Sequence, residues 1–96
     1  MATYITLASF TDQGVRNAKD SVKRAEAFKD MAKKHGATVK ELMWTLGQYD
    51  IVVTLDAPDD ATVTALNLSI GGLGNVRTQT MRAFSGQGFV SHSSGS

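Results

Sequence analysis

The run Ile51-Val52-Val53-Thr54-Leu55 constrains the fold more than any other stretch, because it is apolar on both faces. A half-buried strand alternates apolar with polar residues, whereas a strand without a polar face needs cover above and below. Upstream lies Trp44-Thr45-Leu46-Gly47-Gln48-Tyr49-Asp50, so residues 44–55 read as strand, tight turn at Gly47-Gln48, and strand. This stretch holds the only Trp and one of the two Tyr. Gly47 permits the positive φ that such a turn requires. Asp50, at a strand start, is placed to accept backbone amides.

The rest of the chain offers two helical stretches as cover. Tyr4 to Phe10 alternates, with Ile5 and Leu7 on one side and Tyr4, Thr6, Ala8 and Phe10 on the other, which predicts a first strand. In Thr11-Asp12-Gln13-Gly14, Thr11 or Asp12 can cap the helix predicted from about Val15 to His35. Its apolar stripe is Val15, Ala18, Val22, Ala25, Phe28, Met31 and Ala32. Lys33, Lys34 and His35 suit the negative end of the helix dipole, and Gly36 supplies the left-handed stop. A second strand is predicted over Ala37–Leu46 and a third over Tyr49–Asp56. Ala57-Pro58-Asp59-Asp60 signals a helix start, followed by the stripe Ala61, Val63, Leu66, Ile70 and Leu73. Gly71, Gly72 and Gly74 end that helix, and Asn75–Ser85 alternates as a fourth strand. Residues 86–96 are Gly/Ser-rich without a period, which predicts a flexible tail after one domain spanning 1–85.

The order strand, helix, strand, strand, helix, strand predicts an α+β fold of the ferredoxin-like βαββαβ type: a four-stranded antiparallel sheet with two helices on one face. The second face then carries exposed apolar side chains, and alternation places Tyr4, Phe10, Val52 and Phe84 there. Each large side chain buried on that face contributes about 1.5–3 kcal/mol. A homodimer through the open sheet face is therefore expected, with a higher homo-oligomer as an extension.

Composition excludes several classes. At 96 residues the chain supports one core, and the absence of cysteine removes disulfides and thiolate metal sites. No apolar run approaches the ~20 residues of a membrane span, and the start passes straight into a strand pattern. No membrane partner and a cytoplasmic location are the expectation. The net charge of +1 gives no ground for a nucleic-acid partner. The RNA-recognition motif shares this strand order but needs stacking aromatics on its third strand, where Ile51–Leu55 offers aliphatics.

Gly47-Gln48-Tyr49-Asp50 and Gly74-Asn75-Val76-Arg77-Thr78-Gln79-Thr80, with Tyr4-Ile5-Thr6-Leu7 and Thr11-Asp12-Gln13-Gly14, resemble the GYD-domain family over about residues 3 to 85. The family is named for a Gly-Tyr-Asp signature, here with Gln48 between Gly and Tyr. It comprises small bacterial proteins of unassigned biochemical function. The same Gly-x-Tyr-Asp turn and late Gly-x-Val-x-x-Thr strand are more loosely similar to the effector domain of leucine-responsive transcription regulators. That resemblance implies a dimeric α/β barrel with an effector near the subunit interface, although the helix-turn-helix half of such regulators is absent.

The chemistry legible in the residues is sparse. His35 and His92 do not form a metal-ligand pattern, and no Gly-x-Ser-x-Gly elbow accompanies the missing Cys. Gly71-Gly72-Leu73-Gly74 ends a helix where a phosphate loop would begin one. No catalytic residue, metal or cofactor is assigned. The expectation is a small homo-oligomeric module that binds a small molecule or exerts regulation, with Trp44, Gly47, Tyr49, Asp50, Thr78, Thr80 and Arg82 around the ligand. Arg82 is the candidate partner for an anionic ligand. Two alternatives stand beside it. One is a cofactor-independent monooxygenase-like enzyme of the dimeric α/β barrel type, using Trp44 with His35 or Asp50. The other is a purely structural assembly protein.

Overall fold

The computed structural model describes residues 1–86, so the tail expected to be flexible lies, beyond Gly86, outside the described residues. The elements are β1 (Ala2–Phe10), α1 (Asp12–Arg16), a 3-10 turn (Ala18–Asp20), α2 (Ser21–Lys34), β2 (Thr38–Trp44), β3 (Ile51–Ala57), α3 (Asp60–Gly71) and β4 (Val76–Ala83). The antiparallel sheet has the order β2-β3-β1-β4. Helices α2 and α3 both pack on one face, which gives the ferredoxin-like α+β architecture expected from the element order. Their buried residues Phe28, Ala32, Val63 and Leu66 meet Tyr4, Val53 and Leu55 in one core.

Local chemistry explains the boundaries. Thr11 caps α1 by accepting from the Gly14 amide at 3.1 Å. Asp59 caps α3, accepting from Thr62 N at 2.8 Å and Thr62 Oγ1 at 2.7 Å, and these donors hold its carboxyl below the usual carboxylate range. Gly36, at φ 82°, turns the chain out of α2 into β2.

Three expectations are corrected. The single helix over Val15–His35 is interrupted: α1 ends at Asn17 and the 3-10 turn intervenes before α2. That break takes Val15 off the stripe, leaving it 61% exposed, and within α2 the buried face is Ser21, Ala25, Phe28 and Ala32, with Val22 64% exposed. The tight turn at Gly47-Gln48 is instead a six-residue loop, 45–50, between Trp44 and Ile51. Finally, Tyr4 and Phe10 lie on the helix side of the sheet. Both faces of β1 are apolar, so alternation does not choose between them; the Tyr4 hydroxyl finds its partner in Asp60 at the start of α3.

The register identifies what remains on the open face. Ile5 opposes Thr54 and Met81, Leu7 opposes Val52 and Gln79, and Met43 opposes Val52. Met43 is 50% and Met81 42% exposed, so this face presents apolar surface along its centre. Phe84 lies beyond the end of β4, beneath the Arg82 guanidinium.

Tyr4 is buried, and its ionisation is raised above the ordinary tyrosine value. The hydrogen bond donated to Asp60 is the largest cause, followed by burial and by the Asp60 charge, with Arg82 opposing. Because the folded value lies above the unfolded one, the contribution is complete below about pH 10 and is lost as pH rises beyond it. Thermal unfolding followed from pH 8 upward is expected to show a steeper alkaline loss of Tm in the wild type than in Tyr4→Phe; parallel curves would contradict this.

Candidate functional site

The loop 45–50 is folded onto β1 by its own backbone. Thr45 N donates to Asp50 O at 2.8 Å, and Thr45 Oγ1 donates to Tyr49 O at 2.6 Å. Asp50 N then donates to Ala8 O at 2.9 Å, and the Asp50 carboxylate accepts from Phe10 N at 2.8 Å. The side chain thus satisfies a strand amide that the β3 ladder does not reach, while Gly47, at φ 116°, closes the loop.

The same end of β1 is held from the other side. Thr11 N donates to Asn75 O at 3.1 Å and Thr11 Oγ1 to Gly74 O at 2.6 Å. Gln13 Nε2 donates to Leu73 O and Asn75 Oδ1, both at 3.1 Å. Gly14 lies so close that a Cβ there would stand 1.9 Å from the Asn75 carbonyl oxygen. Residues 8–14 are therefore clamped between Asp50 and the α3–β4 loop.

Beside this clamp, between the sheet and helices α2 and α3, lies a partly open cavity of about 130 Å³. Phe10, Phe28, Met31, Leu42, Ile51 and Val53 form its apolar walls. It occupies the end of the sheet where β1 and β2 finish, where Ala8 and Ala25 present little bulk. The opposite end is filled by Tyr4, Leu55 and Leu66. Polar walls come from Thr6, Ser21, Asn67, Asn75 and Thr78, and Arg24 is the charged residue among the described walls.

The seven residues expected around a ligand are distributed over this frame. Thr78 is a wall of the cavity. Trp44 and Thr80 stand one hydrogen bond behind it. Trp44 Nε1 donates to Ser21 Oγ at 2.8 Å, Thr80 Oγ1 bonds Thr6 Oγ1 at 2.8 Å, and Asn67 Nδ2 donates to Thr80 Oγ1. Gly47 and Asp50 belong to the clamp. Tyr49 donates to Gln79 Oε1 at 3.1 Å on the open face. Arg82 sits away from the cavity, lining a shallow cleft with Tyr4, Pro58, Asp59 and Asp60, its guanidinium 5.1 Å from the Phe84 ring centre. Trp44 contacts the first residue of α2 while His35 caps its last turn, about 20 Å away along the helix. Trp44 and His35, one pairing of the monooxygenase alternative, thus do not meet around one pocket. Among the described residues no three His, Asp or Glu cluster as metal ligands.

Arg24, Asn67 and Phe28 are cavity residues to which the sequence reading assigned no such role. The available signal was position: Arg24 falls four residues before Phe28, beside the buried stripe of α2.

A four-stranded sheet in this order, with its helices on one face, defines a ferredoxin-like domain of the kind seen in FFRP, or Lrp-like, proteins. A solved structure titled "crystal structure of FFRP-DM1" superposes with a TM-score of 0.63, covering 88% of this chain and all of that one. At 20% identity, that likeness is one of fold. The GYD domain profile matches residues 4–91, and the chain belongs to the GYD-domain family. A curated relative from Thermus thermophilus is 32% identical over 84 residues, 86% of this chain and 88% of that protein. It is named glutamine synthetase and cystathionine beta-lyase binding protein.

The clamp makes two substitutions diagnostic. Asp50→Ala leaves the Phe10 amide without its acceptor and is expected to cost about 1–3 kcal/mol. Gly14→Ala forces the α1 start off the Asn75 carbonyl at a similar cost of roughly 1–3 kcal/mol. Urea unfolding midpoints measure both, and unchanged midpoints would show that the clamp is not under tension from either side.

Proposed function

We propose that this protein is a non-catalytic, homo-oligomeric binding module that holds a small molecule in the cavity between sheet and helices. The observation that carries this reading is the cavity itself. Its volume approaches that of the ~150 Å³ engineered apolar cavity that takes up benzene, and its walls are dominated by aliphatic and aromatic side chains. In this reading Thr78 contacts the ligand. Trp44 and Thr80 hold the wall residues Ser21 and Thr6, and Gly47 and Asp50 fix the floor through Ala8 and Phe10. Tyr49 and Gln79 belong to the subunit contact, where Ile5, Leu7, Val52 and Met81 support face-to-face packing of two sheets. No described helix is long and apolar enough to cross a membrane, and a cytoplasmic setting completes the proposal.

A second reading concerns the partner. The Thermus thermophilus relative is named for binding two enzymes. That name supports a protein partner for this chain too, with the cavity ligand as the signal that regulates attachment.

Thermal-shift screening against small apolar and amphipathic compounds tests the main reading, because a ligand of the native state raises Tm by mass action, about 2.7 kcal/mol at a hundredfold excess over Kd. At least one compound of benzene size is expected to raise Tm and to perturb the emission of Trp44, which touches the wall residue Ser21. Light scattering is expected to give twice the chain mass or a multiple of it. Absence of any stabilising compound counts against the cavity reading, and a one-chain mass against the oligomer.

A further inference from the structure

We infer that the ligand of this cavity is a small monocarboxylate with a compact apolar body, its carboxylate held by Arg24. The inference rests on the cavity reading above and adds the chemical class.

Asn17, the residue on which α1 ends, directs its carbonyl to Arg24, whose Nη1 donates to it at 2.8 Å. That contact anchors one arm of the guanidinium. The other arm, Nη2, is enclosed and has no hydrogen-bond partner among the described residues, so a ligand in the cavity that Arg24 lines would meet it by a turn of the guanidinium. A buried guanidinium nitrogen without an acceptor is costly, and native structures rarely leave one in that state without a reason. Among its described walls the cavity contains no Asp or Glu to neutralise Arg24.

Four of the five other polar walls already make side-chain hydrogen bonds, and the fifth, Thr78, offers a neutral hydroxyl. Thr6 and Asn67 are bonded to Thr80, Asn75 Oδ1 accepts from Gln13, and Ser21 Oγ accepts from Trp44. Arg24 Nη2 is the buried, unpaired side-chain donor among the described residues, and as part of a cation it calls for a negative acceptor. The guanidinium fork suits a planar two-oxygen acceptor, so a carboxylate matches it in shape as well as charge. The rest of the cavity, walled by Phe10, Phe28, Met31, Leu42, Ile51 and Val53, accepts an apolar body of about benzene size. A strongly hydrated inorganic anion finds no replacement for its water there, and a purely apolar ligand leaves Nη2 unpaired.

Three probes applied to the full chain separate the contributions: benzoate, benzyl alcohol (similar body, neutral head) and acetate (same head, no body). Binding is read by Tm shift and Trp44 fluorescence. Benzoate is expected to bind at least about tenfold more tightly than benzyl alcohol, the factor one charge-assisted hydrogen bond supplies. Acetate is expected to bind far more weakly than either. Arg24→Gln is expected to lose the benzoate preference, the ratio of benzoate to benzyl alcohol affinity falling toward one. Arg24→Lys, which keeps the charge without the fork, is expected to keep only part of it. Equal affinity of the wild type for benzoate and benzyl alcohol would overturn the carboxylate inference and leave the cavity reading intact. Persistence of the preference in Arg24→Gln would do the same. Failure of the wild type to bind either aromatic probe would overturn both. The wild-type comparison decides the matter even where a variant does not fold.

Discussion

The hydrogen bond from the Phe10 amide to the Asp50 carboxylate lets β1 run further than one of its neighbours. Pairing with β3 ends at Ala8 and Ile51, while pairing with β4 continues to Phe10 and Val76. At that overhang the Phe10 amide has no main-chain acceptor on the β3 side, and a carboxylate from the loop takes the place of the missing rung. On the other side, the Thr11 amide and hydroxyl are received by the carbonyls of Asn75 and Gly74. Ala8 and Phe10, which this arrangement holds, are also walls of the cavity. The shape of the cavity floor thus depends on contacts made outside it.

The two ends of the helix-facing surface are built differently. At one end Tyr4, Leu55 and Leu66 fill the space between layers, and Tyr4 brings its hydroxyl to Asp60. At the other, alanines at positions 8 and 25 leave room that neither helix occupies. A partly open cavity of about 130 Å³ leaves its apolar wall atoms without protein partners on one side, so the dispersion contacts of packed layers are missing there. Space of that size between otherwise packed layers is a feature that an occupant would offset.

The topology was legible in the residues because it follows from periodicity and helix-end chemistry. The helix start at Ala57-Pro58-Asp59-Asp60, the Gly36 stop and the doubly apolar β3 are local signals, and the structure contains each of them. What alternation did not resolve was the facing of β1. Tyr4 and Phe10 on one side and Ile5 and Leu7 on the other are equally apolar, and the choice depends on Asp60, 56 positions downstream. The break at Asn17 escaped notice because Val15, Ala18 and Val22 continue a helical spacing that the chain does not obey. The residues picked for chemical character, Trp44, Tyr49, Asp50 and Arg82, are spread over the frame, the open face and a separate cleft. Arg24 is indistinguishable in sequence from the solvated lysines of the same helix, since the enclosure of its Nη2 arises from tertiary packing.

The interruption between α1 and α2 has a consequence for how chains of this architecture can diverge. At the break, Asn17 O accepts both from Asp20 N at 3.0 Å, in the 3-10 turn, and from Arg24 Nη1 at 2.8 Å. Each residue inserted or removed between Gly14 and Ser21 would turn one helical segment about 100° against the other and carry the anchoring carbonyl away. The length of that short connection therefore acts as a register for polarity: one spacing mounts a cation on the cavity rim, and another leaves the same apolar chamber with a neutral mouth. On the proposed carboxylate reading, sequences that share every wall residue but differ by one position there would sort into different ligand classes.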